Sequence, residues 1–200
     1  SIDTLIDRTF THTTQYDTRG NAVWQTTDTF VVDRISDPAA PIEKLATRRV
    51  VHNIDVDNRG DAREQEITTQ TTDSTGLEAS LEITNFQRMT NRSYDSEHNV
   101  ENQIILTYDE EDGILLDVQE IRSIGFHSSG TALKQIIATF APDDAGALSL
   151  IYSGETFTLN PLDVKVIENF DIDSRGNSAR TIITKYGNWT ILENGEGEIV

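Results

Sequence analysis

The segment YDTRGNAVWQTTDTF, Tyr16–Phe30, decides how the rest of the chain is read. Tyr16 closes an extended run, Asp17 is a turn-starting residue, and Gly20 suits a backbone position with positive φ. From Ala22 to Phe30 the residues are mostly β-branched, aromatic or polar, the composition of a half-buried strand. Strand, tight turn and strand therefore make a hairpin. Four more stretches share this outline without internal gaps: VDNRGDAREQEITTQ from Val56, YDSEHNVENQIILTY from Tyr94, FHSSGTALKQIIATF from Phe126 and IDSRGNSARTIITKY from Ile172. The starts at 16, 56, 94, 126 and 172 lie 40, 38, 32 and 46 residues apart, a period of about 40.

Each shared position has a physical reason. Asp17, Asp57, Asp95 and Asp173 can accept a backbone N–H two residues on and start a turn; His127 stands at that position in the fourth copy. Gly20, Gly60, Gly130 and Gly176 fit the left-handed residue that follows a type I turn, and His98 is a tolerable substitute there. Further on, Gln25, Gln65, Gln103 and Gln135 occupy one position, with Thr181 in the fifth copy. That position is either a side-chain ladder or a half-exposed polar site. Ile67, Ile105, Ile137 and Ile183 share the Gln face by alternation, and Ile104, Ile136 and Ile182 take the other. Apolar residues on both faces predict strands covered on both sides.

Composition agrees with this picture. Of 200 residues 36% are hydrophobic, Thr is abundant, and no long segment carries a helical stripe. The expectation is all-β: an antiparallel up-and-down meander of repeated β-hairpins, either an elongated coiled sheet or a partly closed array. It is expected to occupy residues 1–200 as one domain and to be a segment of a larger protein. The chain starts at Ser1 without a signal-like apolar stretch, which reads as processing or excision.

The 34 acidic and 16 basic residues leave a net charge of −18, which disfavours nucleic acid and anionic membranes. No stretch is long and apolar enough for a spanning helix, so no membrane insertion is expected. Cysteine is absent, which excludes disulfides, thiolate zinc sites and thiol nucleophiles.

The motifs YDTRGNAV, YDSEHNV and YDEEDGI resemble the YD-repeat, or RHS-repeat, family. In that family tyrosine–aspartate hairpins coil into a long β-sheet. The resemblance implies a large secreted or surface protein, either an adhesion protein or a hollow shell around a toxin. Literal Tyr–Asp pairs occur at Tyr16–Asp17, Tyr94–Asp95 and Tyr108–Asp109, and no site residue is carried over from the family.

Chemistry is sparse. Arg59-Gly60-Asp61 is an integrin-type tripeptide, but Arg and Gly recur at the same turn as Arg19-Gly20 and Arg175-Gly176. DVDNRGD and DIDSRGN look like the start of a calcium loop, with Asp55, Asp57, Asp61, Asp171 and Asp173 as oxygen donors, yet Arg59 and Arg175 stand at a ligand position. Asp109 and Asp112 mark a denser acidic turn that is a further calcium candidate. Trp24 and Trp189 are candidates for stacking on a sugar. The four histidines, His12, His52, His98 and His127, show no metal or catalytic spacing.

The function expected is a structural or adhesive segment of a large extracellular or cell-surface bacterial protein, with no catalysis of its own and no bound cofactor. Alternatives are a carbohydrate- or calcium-binding β module and a shell segment of an RHS-type toxin protein. Its expected partners are neighbouring hairpins of the same or identical chains, other surface proteins and glycans.

Overall fold

The computed structural model describes residues 7–33, 42–145, 161–187, 189–191 and 197–199. Ten strands follow in chain order: β1 (Asp7–Tyr16), β2 (Ala22–Asp33), β3 (Ile42–Val56), β4 (Ala62–Thr71) and β5 (Glu82–Tyr94), then β6 (Val100–Tyr108), β7 (Leu115–Phe126), β8 (Ala132–Phe140), β9 (Asp163–Ile172) and β10 (Ser178–Tyr186). Each is hydrogen-bonded to its sequence neighbour in one open antiparallel sheet of order β1 to β10. The chain is an all-β meander of hairpins, as its turn spacing predicts. A separate two-stranded pair joins β11 (Trp189–Ile191) to β12 (Gly197–Ile199). Short 3-10 turns at Glu78–Ser80 and Pro142–Asp144 interrupt two connections. Among the described residues no helix is long and apolar enough to cross a membrane.

A meander makes its contacts mainly between neighbours in sequence, and here these contacts gather into two compact units. The first is Ser1–Arg88 with Tyr108–Ile114, and the second is Met89–Thr107 with Leu115–Val200. In the first, Leu45, Val51, Ile67 and Phe86 are buried, with Ile67 only 1% exposed. In the second, Ile104, Val118, Ala138, Phe140 and Val164 form one contiguous cluster. Both of the faces expected to be covered do contribute: Ile67 lies on the Gln face, Ile104 on the other. Coverage fails on β10, where Ile182 and Ile183 point to opposite faces and are both exposed. As the last strand of the order, β10 has a neighbour on one side only.

All five hairpins turn in the same way. Backbone N–H groups of Gly20, Gly60, His98, Gly130 and Gly176 donate to the carbonyls of Asp17, Asp57, Asp95, His127 and Asp173. The N–H of each of those five residues in turn bonds the carbonyl of Asn21, Asp61, Asn99, Thr131 or Asn177, at 2.9–3.0 Å. This is a type I turn closed by a left-handed residue. The left-handed φ values are 91°, 94°, 69°, 83° and 89° in chain order, and only His98 must hold one with a side chain.

One layer below the turns lies a polar row. Gln25 Nε2 donates to Thr13 Oγ1, Gln65 to Asn53 Oδ1, Gln103 to Asn91 Oδ1 and Gln135 to Ser123 Oγ, at 2.6–3.2 Å. Thr181 Oγ1 and Asn169 Oδ1 make the fifth such pair at 2.9 Å. The recurrent Gln is thus a cross-strand hydrogen-bond donor to the residue four before the turn. Two residues at the partner position reach further: Asn53 Nδ2 donates to the Ala22 carbonyl and Asn169 Nδ2 to the Ala132 carbonyl, tying one hairpin to the one before it. A double-mutant cycle with Gln65→Ala and Asn53→Ala checks this layer. Equilibrium unfolding is expected to give a coupling of about 0.5–1.5 kcal/mol, and additive single effects would contradict it.

Candidate functional site

The carboxylates singled out for chemistry lie at or beside the turns. Asp17 Oδ1 accepts the backbone N–H groups of Arg19 (2.8 Å) and Asn21 (2.9 Å), while Oδ2 accepts from Asn21 Nδ2 at 3.0 Å. Asp95 does the same with Glu97, Asn99 and Asn99 Nδ2, and Asp173 with Arg175, Asn177 and Asn177 Nδ2. Asp57 accepts from the N–H groups of Arg59 and Asp61. In the fourth turn His127 Nδ1 takes over, accepting the Ser129 N–H at 3.3 Å.

These bonds favour the charged carboxylate. Partial desolvation pushes the Asp17 carboxyl up, but the Asn21 and Arg19 donors win and lower it from 3.8 to about 2. Asp57, which desolvation also opposes, is held below its ordinary value by the Arg59 and Asp61 N–H groups. Asp95 and Asp173 are lowered first by the side-chain amides of Asn99 and Asn177.

Within each unit neighbouring tips also touch: the first meets the second, the third the fourth and the fourth the fifth. Arg19 sends Nη2 to the Val56 carbonyl at 2.7 Å, and Nη1 to the Asp57 carbonyl at 2.8 Å and Asn58 Oδ1 at 3.1 Å. Asn21 Oδ1 sits 3.1 Å from where a Cβ would stand on Gly60, and Asn99 Oδ1 lies 3.1 Å from that point on Gly130. At Gly176 the neighbour is Thr131 Oγ1, 2.6 Å away. These glycines therefore serve twice, once for φ and once for close approach.

The calcium candidates divide accordingly. Asp57 and Asp61 meet in one turn, but Arg59 Nη2 bonds Asp61 Oδ2 at 2.7 Å and Asp61 is only 8% exposed. Burial of Asp61 also withdraws the carboxylate that an Arg-Gly-Asp ligand must present. Asp173 spends both oxygens within its own turn. Asp171 takes a left-handed φ of 53° and Asp55 lies opposite Glu64 as an exposed strand residue. At the acidic turn, Asp109 Oδ1 accepts the N–H groups of Glu110 and Ile114, and Asp112 faces Arg88 at 3.6 Å. Among the described residues no three His, Asp or Glu side chains converge on a common point.

Trp24 stacks on His52, with ring centroids 3.9 Å apart and planes 7° from parallel, so its inner face is occupied. His52 Nδ1 lies 3.5 Å from Glu66, and Glu66 pairs with Arg88 at 3.3 Å, on the sheet face opposite the Gln65–Asn53 pair. The side chain of Trp189 lies outside the described residues. A cleft in the second unit is lined by His98, Asn99, Gln103, Ser123, Gly130 and Gln135, the same turn and polar-row residues.

One polar cluster escapes a sequence reading. Glu120, 1% exposed, accepts from Arg122 Nη2 at 2.9 Å and Asn102 Nδ2 at 3.1 Å, with Arg92 Nη2 at 3.8 Å. Its one signal is the Glu-x-Arg spacing in β7, which puts both side chains on one face. Among 34 acids that spacing does not stand out. Removing one partner of a carboxylate buried between two guanidinium groups typically costs about 3–5 kcal/mol.

The turn carboxylates set an acid limit. Their folded-state pKa values lie below the unfolded value of about 3.9, so their stabilisation is complete above the unfolded value and is lost as pH falls on through the folded ones. The melting temperature is expected to decline steadily between about pH 4 and pH 2. Combining Asp17→Asn, Asp57→Asn, Asp95→Asn and Asp173→Asn keeps an acceptor, removes the titration and should flatten that decline. An unchanged acid limb in the combined variant would contradict the assignment. Compared with known proteins, the chain matches no family model, no curated protein and no solved structure.

Proposed function

We propose that this chain is a structural or adhesive segment of a larger extracellular or cell-surface protein, built of successive β-hairpins and without catalysis of its own. The observation that supports it is how the polar residues are used. In the turns, Asp and His side chains bind their own backbone, and the Gln position binds across its own hairpin. Side chains engaged in this way are scaffold parts rather than a reacting set. The YD motifs lend the same reading a family resemblance, that of the RHS-type surface proteins. A net charge of −18 suits a chain that stays soluble in a saline medium, where salt screens its self-repulsion. Neighbouring hairpins are its main partners, with other surface proteins or glycans meeting its exposed Thr-rich strands.

Immunolabelling of intact source cells tests this reading. An antibody raised against residues 7–187 is expected to label cells before permeabilisation, and that label should vanish after external protease treatment. Signal that emerges only after lysis would overturn the surface assignment.

A further inference from the structure

The contact between the first and second turn tips has a donating half and a receiving half. The donating half is an Arg reaching forward together with a short polar side chain that overlies the next glycine; at the third-to-fourth and fourth-to-fifth contacts the polar side chain alone, Asn99 or Thr131, does so, and Arg59 turns back onto Asp57 and Asp61. Arg19 and Asn21 show both, on Val56, Asp57, Asn58 and Gly60. The receiving half is a pair of strand-end carbonyls and a left-handed glycine with no Cβ in the way.

The first and fifth turns each use one half only. Gly20 has the same left-handed φ, 91°, yet nothing among the described residues lies within 4 Å of the point where its Cβ would stand. The fifth turn, Asp173-Ser174-Arg175-Gly176-Asn177, matches the first in its Asp-x-Arg-Gly-Asn order. The one hydrogen bond that Arg175 makes among the described residues comes from its backbone N–H, to Asp173. Its exposed guanidinium has no described partner, where that of Arg19 has four acceptor atoms.

The strands beside these turns are open as well. Every residue of β1 except Thr13 is exposed, including Phe10 at 54% and Tyr16 at 60%. On β10, Ile182 is 41% and Ile183 60% exposed. Unprotected edge strands with apolar side chains pair readily with another strand. Alternation of direction along the meander makes β1 of another copy antiparallel to β10, continuing the existing order.

Resting on the structural-segment reading, we propose that the β10 edge of one copy of this chain docks on the β1 edge of a second copy, tip against tip and in one register. Arg175 donates to the carbonyls of Tyr16 and Asp17 in the second copy and to Thr18 Oγ1, which stands where Asn58 stands in the second turn. Asn177 overlies Gly20. The Thr13 hydroxyl, already accepting from Gln25, occupies the position of Asn53 and Asn169 and donates to the Ser178 carbonyl, as those residues do to Ala22 and Ala132. Such an interface is heterologous: it uses different surfaces on the two copies and does not close on itself as a symmetric dimer does.

Sedimentation velocity over a concentration series tests the register, in physiological salt where the screening length is about 8 Å. The unaltered chain is expected to grow in size with concentration. Arg175→Glu removes the donating half and Thr18→Lys sets a cation against Arg175; each should raise the concentration needed for association at least about tenfold, the change for 1.4 kcal/mol. An equimolar mixture of the two should associate again, since each supplies the edge the other lacks, and recovery also shows both variants to be folded. Arg49→Glu makes the same charge change on the interior strand β3 and should behave as the unaltered chain. Three results would overturn the proposal: a chain that stays monomeric throughout, association indifferent to both edge variants, or a mixture that fails to recover. Cell-surface labelling is independent of all three, so a failure here leaves the functional reading standing, and the reverse holds too.

Discussion

The structure depends on one small interaction made several times over: a turn carboxylate accepting two backbone N–H groups of its own loop. A type I turn leaves these N–H groups pointing into the concave side of the tip, where a neighbouring strand offers no carbonyl for them. Asp at the first turn position supplies the acceptor at the correct reach, and its charge strengthens both bonds. That choice sets the rest of the hairpin. With the turn closed at Asp17 and Asn21, register places Gln25 opposite Thr13; the same closure at Asp57 and Asp61 places Gln65 opposite Asn53. A slip of one residue would break the side-chain pair and exchange the two faces of the strand.

The second constraint is lateral. A hairpin by itself is marginal in water, so its neighbours must hold it. Apolar area does part of this, through Ile67 in the first unit and Val118 and Phe140 in the second. Polar fastenings at the tips do the remainder. Asn21 over Gly60, Asn99 over Gly130 and Thr131 over Gly176 require a glycine on the receiving side. The same glycine also provides the positive φ of the turn. At Gly60, Gly130 and Gly176 one residue type meets two demands, while Gly20 answers to φ alone.

Much of this was legible in the residues. Asp, Gly and a polar residue at fixed offsets announce the turn, and the structure places the N–H acceptor and the positive φ where that chemistry puts them. Even His98 takes the left-handed conformation. The partner of the recurrent Gln was not legible, for two reasons. It lies upstream of the shared motif, and it changes identity from Thr13 to Asn53, Asn91 and Ser123, keeping only polarity and position. Local pattern equally misses the exposure of Ile182 and Ile183, since burial depends on whether another strand lies alongside. Asp-rich tips read as ion loops in one dimension; in three, their oxygens face N–H groups.

Amide hydrogen exchange measures the central interaction most directly. The N–H groups of Asn21, Asp61, Asn99 and Asn177 bond Asp carboxylates and should exchange at least about tenfold more slowly than those of Thr18, Asn58, Ser96 and Ser174 in the same turns. The difference should shrink as the carboxylates are protonated. Equal exchange across the turn, or protection indifferent to acid, would contradict the account.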